Sequence, residues 1–301
     1  MEFTGIDKLI FGVEDMETSR RFCEDWGLRA LESDPAGPRF ETLDGGEVEL
    51  RPADDPDLPP AFEPGSTLRQ VVWGVADENA LRAVESALGS LTATDPNGMS
   101  LGFRVSSRRD AGVRGVGVNG AGHLQRVDER GPVYERAHPL GIGHVVFFTG
   151  DLAATLAFYT DRLGFRVSDY YPDAGYFLRC RAEGGHHDLF LLQTPDRKIG
   201  LNHVAYTLRD IYEIFGGGIH INSRGWQTEI GPGRHPISSA FFWYVKSPLG
   251  GLAEYYTNED WCTADWQARA WTRGNETFAD WAIAGGIDPK TRRQVVAARE
   301  D

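Results

Sequence analysis

The sequence predicts an α+β fold built by duplication, with two halves that each carry two β–α–β-rich modules of about sixty residues. Three observations lead there: a repeat at a fixed offset, the same strand-then-helix pattern in both copies, and glycines at matching helix ends. Gly5-Ile6-Asp7-Lys8 lies over Gly141-Ile142-Gly143-His144 at an offset of 136 (141 − 5), which also brings Asp15 onto Asp151, Phe22 onto Phe158 and Asp25 onto Asp161. One residue of slack then sets Gly27-Leu28-Arg29 over Gly164-Phe165-Arg166. A second match, at an offset of 133 (203 − 70), places Gln70-Val71-Val72-Trp73 with Asp77 over His203-Val204-Ala205-Tyr206 with Asp210.

Taken in order, each copy opens with a strand, and an aspartate (Asp15 or Asp151) then starts an amphipathic helix. In the second copy Leu152, Leu156, Tyr159 and Leu163 fall on one helical face, and Gly164 suits the left-handed residue that ends many helices. Arg51–Pro64 holds five prolines and reads as a loop. Strand and helix follow again at Gln70 and at His203. Gly216-Gly217-Gly218 reads as a turn after the helix, since it lacks the lysine and Ser/Thr of a phosphate loop. The four arginines Arg104, Arg108, Arg109 and Arg114 read as a solvated hairpin. Each half closes on a glycine turn leading into a short strand: Asn119-Gly120-Ala121-Gly122 in the first, Leu249-Gly250-Gly251 in the second. The polar stretch Glu129–Pro139 has two prolines and no periodicity, as a linker would. Domains are therefore expected at 1–128 and 140–257, joined by 129–139. The tail, 258–301, carries Trp261, Trp266, Trp271 and Trp281 in a mostly helical pattern. It is expected to pack on the second domain as a helix; a lid or an oligomer contact is the alternative, since exposed tryptophans favour interfaces.

Composition narrows the partners. With 31 Lys+Arg against 44 Asp+Glu, the 301-residue chain has a net charge of −13, which disfavours nucleic acid. No apolar run reaches the roughly 18 residues needed to cross a bilayer, so no membrane partner is expected. The first twenty residues lack the basic start and apolar stretch of a signal peptide. Three widely spaced cysteines argue against a disulfide framework. A cytoplasmic protein is expected.

Six of the eight histidines fall in the second half. His144 opens HVVFF and His203 opens HVAYTL, two strands related by the repeat. Glu254 stands among apolar and aromatic residues in LAEYYT, sharing a strand face with Leu252 and Tyr256. A carboxylate there is unfavourable unless paired or bound to a cation. Two imidazoles and one carboxylate form a candidate site of the kind associated with non-haem Fe(II) and O₂. The first half has Lys8, Gln70 and Gln125 at the corresponding places, none of them a good Fe(II) ligand.

The paired modules and the strings HVVFFTGDLAATLAFYTDRLGF, LNHVAYTL and SPLGGLAEYYT resemble the vicinal oxygen chelate superfamily (the glyoxalase/bleomycin-resistance/dioxygenase family). A two-domain layout with ligands only in the second half resembles, within it, the type I extradiol ring-cleaving dioxygenases. The resemblance covers residues 1 to about 257 and is strongest over 141–257. It implies tandem βαβββ modules, with each domain a curved mixed β-sheet funnel and the metal site in the C-terminal one. It carries an Fe(II), occasionally Mn(II), onto His144, His203 and Glu254. The implied activity is cleavage of a catechol-type aromatic ring with O₂, in aromatic hydrocarbon catabolism, by a homo-oligomer.

The resemblance also implies second-sphere roles. The family's proton-shuttling histidine falls on His186-His187 in GGHHDLFLL, and its H-D/S-x pattern favours His187. A histidine and a tyrosine ahead of the glutamate match His235 (254 − 235 = 19) and Tyr244 (254 − 244 = 10). Both are assigned to substrate oxygens. Where many biphenyl- and catechol-type members have an Asn-Asp pair, this chain reads Ile237-Ser238, which points to a different or larger catechol. Two other readings are a glyoxalase- or epimerase-like isomerase or lyase, which usually takes a second carboxylate as a fourth ligand, and a non-enzymatic small-molecule binder.

Overall fold

A computed structural model of the chain describes residues 1–32 and 37–295. The first half forms a sheet from β1 (Phe3–Val13), β2 (Arg29–Ala30), β3 (Arg39–Glu41), β4 (Glu47–Pro52), β5 (Thr67–Val75), β6 (Thr92–Thr94) and β7 (Ser100–Val105), ordered β2-β3-β4-β1-β5-β7-β6. Helices α1 (Met16–Trp26) and α2 (Glu78–Leu88) follow β1 and β5. The second half supplies β8 (Gly141–Phe148), α3 (Leu152–Ala157), β9 (Arg166–Tyr171), β10 (Gly175–Arg179), β11 (Gly184–Gly185), β12 (Leu189–Leu192), β13 (Gly200–Thr207), α4 (Ile211–Ser223), β14 (Thr228–Arg234), β15 (Phe241–Lys246) and β16 (Leu252–Thr257). The tail adds β17 (Trp261–Cys262), β18 (Arg269–Ala270), α5 (Asn275–Phe278) and β19 (Trp281–Ala284). The second sheet runs β18-β9-β10-β12-β8-β13-β16-β15-β14-β19, while β11 and β17 pair separately.

Strand pairing reproduces both offsets of the repeat. Lys8 lies opposite Val72 and Ile10 opposite Gln70 in the first sheet; His144 lies opposite Ala205 and Val146 opposite His203 in the second. The aspartates at matched positions do the same job four times. Asp15, Asp77, Asp151 and Asp210 each cap a helix by accepting from a backbone N–H three residues on. Gly164 is left-handed (φ 77°) as expected, although the chain first widens into a π-turn at Phe158–Arg162, so that Phe158 joins Tyr159 in the core and Leu156 is half-buried.

The register also corrects one correspondence. Ser100 in β7 pairs with Gln70 as Leu252 in β16 pairs with His203, so the counterpart of Glu254 is Gly102, not Gln125. Gln125 lies in no strand. Its backbone N–H and that of Arg126 are taken by the Asn119 side chain, and Asn119–Gly122 closes only an isolated bridge. Among its described residues the first half still lacks a ligand set, and Lys8 is instead paired with Glu49 at 2.6 Å.

Three further expectations change. Gly216-Gly217-Gly218 is the buried middle of α4, where a side chain would strike Tyr134, Ala137 and the Trp243 ring; the glycines let the helix lie close against its neighbours. The arginine stretch is no solvated hairpin, because Arg104 and Arg108 pair with the buried carboxylates of Asp7 and Asp44. The tail is not mostly helical. Among the described residues its only helix is the four-residue α5, and its tryptophans, five or ten apart, do not recur on one helical face. Instead β18 extends one edge of the second sheet and β19 the other, so the tail spans the sheet's open side. Residues 296–301 of the expected tail lie outside the described residues.

One buried apolar cluster runs through both halves. Trp26 of α1 stacks on Tyr255 of β16 at 3.6 Å, and the Tyr255 hydroxyl donates to the Trp26 carbonyl at 2.6 Å. In return, Phe165 of the second half packs edge-on against Phe3 and Trp73 of the first, at 5.3 and 5.0 Å.

Candidate metal centre and its pocket

Period-two alternation along four neighbouring strands turns one face of the second sheet inward. Ala253, Tyr255, Trp243 and Val245 point into the shared core, so Glu254, Tyr256, Tyr244 and Phe242 face the other way. Register then forms a row: Tyr244 lies opposite Glu254, Glu254 opposite Ala205, and Ala205 opposite His144. Ala205, the small member, leaves room above it. His203 reaches that room because a bulge between Leu201 and His203 keeps Leu201 in the core while turning the histidine out.

The three expected ligands meet there. His144 Nε2 and His203 Nε2 each lie 3.1 Å from Glu254 Oε2 and 3.3 Å from one another. One donor atom from each falls within 4.8 Å of the others, and no other group of three His, Cys, Asp or Glu side chains converges in this way among the described residues. All three are buried, Glu254 to 1% exposure. Burial pushes the Glu254 carboxyl up, but hydrogen bonds from His144, His203 and His235 outweigh it and hold the group well below the usual carboxylate range. Burial lowers the His203 imidazole. An ionised carboxylate beside a neutral imidazole is the protonation state a divalent cation needs. His144 Nδ1 is buried without a protein partner, and the donor set suits Fe(II) or Mn(II). The residues therefore fit such an ion.

The second-sphere residues flank this centre. The His187 ring lies 4.0 Å from His144, and burial, then the nearby imidazoles of His144 and His186, lower it well below the usual histidine range. On the other flank His235 Nε2 is 3.7 Å from Glu254 Oε1 and 3.1 Å from the Tyr244 hydroxyl. His235 Nδ1 donates to the Phe278 carbonyl, 2.6 Å away. His187, His235, Tyr244 and the three ligands line one cavity of about 710 Å³. His186 does not: it is fully buried behind His187.

The cavity walls are mainly apolar. Ile237 is buried in a cluster with Val146, Tyr171, Phe177 and Phe190 and lines the cavity, so an alkyl side chain stands where a polar one was looked for. Ser238 sits in the left-handed region (φ 74°) and its carbonyl accepts from the Asp260 N–H at 2.8 Å.

Three features of the pocket escape sequence reasoning. Tyr256, 4.9 Å from the His144 ring, was implicit in its alternation with Glu254. Glu259 has no such signal. Its carboxyl accepts from the Tyr256 hydroxyl and the His186 N–H, and burial followed by the charge of Asp188 pushes it up to about 8. The tail segment Arg273–Phe278 forms part of the wall, brought there because β18 pairs with β9, 100 residues earlier (Arg269 with Asp169), and β19 with β14, 47 to 54 residues earlier.

Comparison with known proteins agrees with this architecture. A family model described as Glyoxalase/Bleomycin resistance protein/Dioxygenase superfamily matches residues 141–255. Metapyrocatechase 2 of Cupriavidus necator is 32% identical over 154 residues, 51% of this chain and 47% of that protein. The match thus spans about half the length of that curated relative. The 2,2',3-trihydroxybiphenyl dioxygenase of Sphingomonas paucimobilis is 26% identical over 245 residues, 74% of this chain and 78% of that protein. Among solved structures, the Mn(II)-bound glyoxalase from Novosphingobium aromaticivorans superposes with a TM-score of 0.72 at 23% identity, over 99% of this chain and 96% of that one. No helix among the described residues is long and apolar enough to cross a membrane.

Proposed function

We propose that this chain is an extradiol dioxygenase that opens a catechol-type ring with O₂, a reading supported by the match of residues 141–255 to the Glyoxalase/Bleomycin resistance protein/Dioxygenase superfamily. The metal would be Fe(II), or Mn(II), held by His144, His203 and Glu254. One observation carries the reading. A three-donor centre with one face open lies at the base of an apolar cavity, with a histidine beside His144 and a His–Tyr pair beside Glu254. When bound, the ion would supply open positions at which a chelating catechol and O₂ meet.

The protein groups do the remaining work. His187, neutral and buried, accepts a catechol hydroxyl proton and later returns it. The Tyr244 hydroxyl and His235 stabilise negative charge that develops on substrate oxygen. Walls of Val146, Phe177, Phe190 and Ile237 exclude water and accept the substrate's apolar part. A cavity of about 710 Å³ has room for a substituent beyond the catechol ring. An isomerase or lyase of this kind usually takes a fourth ligand, and no fourth His, Cys, Asp or Glu joins the cluster among the described residues.

The test is metal analysis of protein purified without oxygen, with Glu254→Ala alongside, followed by O₂ uptake with a panel of catechols. About one iron or manganese per chain, lost in the variant, together with catechol-dependent O₂ uptake, is expected. Metal retained in the variant, or metal-loaded protein inert to every catechol, would overturn it.

A further inference from the structure

Behind His187 runs a hydrogen-bonded chain that the reaction as described does not use. His186 Nδ1 lies 3.2 Å from His187 Nδ1, and His186 Nε2 lies 3.3 Å from Asp169 Oδ2. All of it is buried, with His186 at 0% and Asp169 at 2% exposure. The tail supplies the rest. β18 runs parallel to β9 and brings the Arg269 N–H to Asp169 Oδ1 at 2.8 Å and the Trp271 indole N–H to Asp169 Oδ2 at 3.0 Å. Trp266 donates to the Ser168 carbonyl at 2.8 Å and stands edge-on to the His186 ring. Burial pushes the Asp169 carboxyl up, but the bonds from His186, Arg269 and Trp271 outweigh it, so the group is ionised near neutrality.

Donor and acceptor roles then follow from one end. An ionised carboxylate only accepts, so His186 donates from Nε2. A neutral His186 has its lone pair on Nδ1, so the partner there, His187, donates from its own Nδ1. The nitrogen of His187 left for the cavity is Nε2, carrying a lone pair. We propose that Asp169 and His186 are positioning residues that hold His187 in the Nδ1–H tautomer, and that the tail locks them through Trp271. The bearing on catalysis rests on the dioxygenase reading; the tautomer itself does not.

The test reads the tautomers directly. In the full-length protein labelled with ¹⁵N-histidine, metal-free and loaded with diamagnetic Zn(II), long-range ¹H–¹⁵N correlations assign the protonated nitrogen of each ring. His187 should show a protonated Nδ1 and an acceptor-type Nε2, and His186 the reverse. His187 protonated on Nε2, or His186 protonated on both nitrogens, would overturn the proposal. Asp169→Asn should convert the single His187 pattern into a mixture, and Trp271→Phe, a milder change that keeps the aromatic packing, should move it part of the way. An unchanged His187 pattern in both variants would also overturn it. With a catechol that turns over, Asp169→Asn should lower kcat by about a hundredfold with KM and metal content unchanged, and Asp169→Glu should recover part of the loss. If no catechol turns over, the dioxygenase reading falls while the tautomer pattern still decides the relay.

Discussion

Replacing Glu254 with glutamine keeps the volume of the side chain and removes the charge on which the metal centre depends. At a free Mn(II) concentration a hundredfold above its dissociation constant, binding to the native state alone adds about 2.7 kcal/mol of stability. A chain of 301 residues, at about 2.1 cal/mol/K per residue, unfolds with an entropy near 0.6 kcal/mol/K, so this stabilisation should raise Tm by about 4 °C. Loss of one of only three ligands should weaken binding by at least about a hundredfold, the upper end of what mutating a mere outer partner does. At the same Mn(II) concentration the variant then gains only about 0.4 kcal/mol, a rise below about 1 °C. Differential scanning calorimetry with Mn(II) and with a chelator measures both shifts, and the metal-free transition of the variant shows that it folds. Equal shifts in wild type and variant would refute the assignment of Glu254, and with it the picture of His144 and His203 as its partners.

Other consequences can be checked separately. His187→Asn should lower turnover of a catechol by a hundredfold or more while leaving metal content unchanged; metal loss would instead make His187 a ligand. Tyr255→Phe deletes the buried bond to the Trp26 carbonyl and should destabilise the protein by about 1–3 kcal/mol in urea titrations, and an unchanged midpoint would show that this contact between the halves is not formed. Glu259 binds its proton more tightly in the folded state (pKa about 8) than at its ordinary value of 4.5, so folded-state stability should fall as pH rises from about 5 to about 8. Because the carboxyl borders the open cavity, the loss should be on the order of 2 kcal/mol. Glu259→Gln should flatten that dependence, and a variant with the wild-type slope would place the titration elsewhere.

The repeat was legible because duplication preserves what secondary structure needs locally: a strand, a capping aspartate, an amphipathic turn of helix. The candidate ligands stood out because His144, His203 and Glu254 are polar residues in otherwise apolar strands, positions that only pairing or a cation makes tolerable. Long-range pairing was not legible. Gln125 sat near the expected place for a third strand, yet Asn119 captured the backbone that would have built it. The tail tryptophans recur every five residues or more, which fits neither helix nor strand; Trp266 and Trp271 are placed by bonds to Ser168 and Asp169 about a hundred residues away. Glycines 216–218 looked like a turn because the neighbours that select them, Tyr134, Ala137 and the Trp243 ring, are distant in the chain. For the same reason Glu259 carried no signal, since its partners Tyr256 and His186 are brought to it by the fold.

The most direct test of the central claim follows the oxygen atoms. Metal-loaded protein is mixed with a turned-over catechol under ¹⁸O₂, and the ring-opened product is trapped quickly and weighed by mass spectrometry. Both atoms of one O₂ in a single product molecule, with one O₂ consumed per ring and no hydrogen peroxide released, is the predicted result. One labelled atom or none, or a rearranged substrate formed without O₂ uptake, would contradict it.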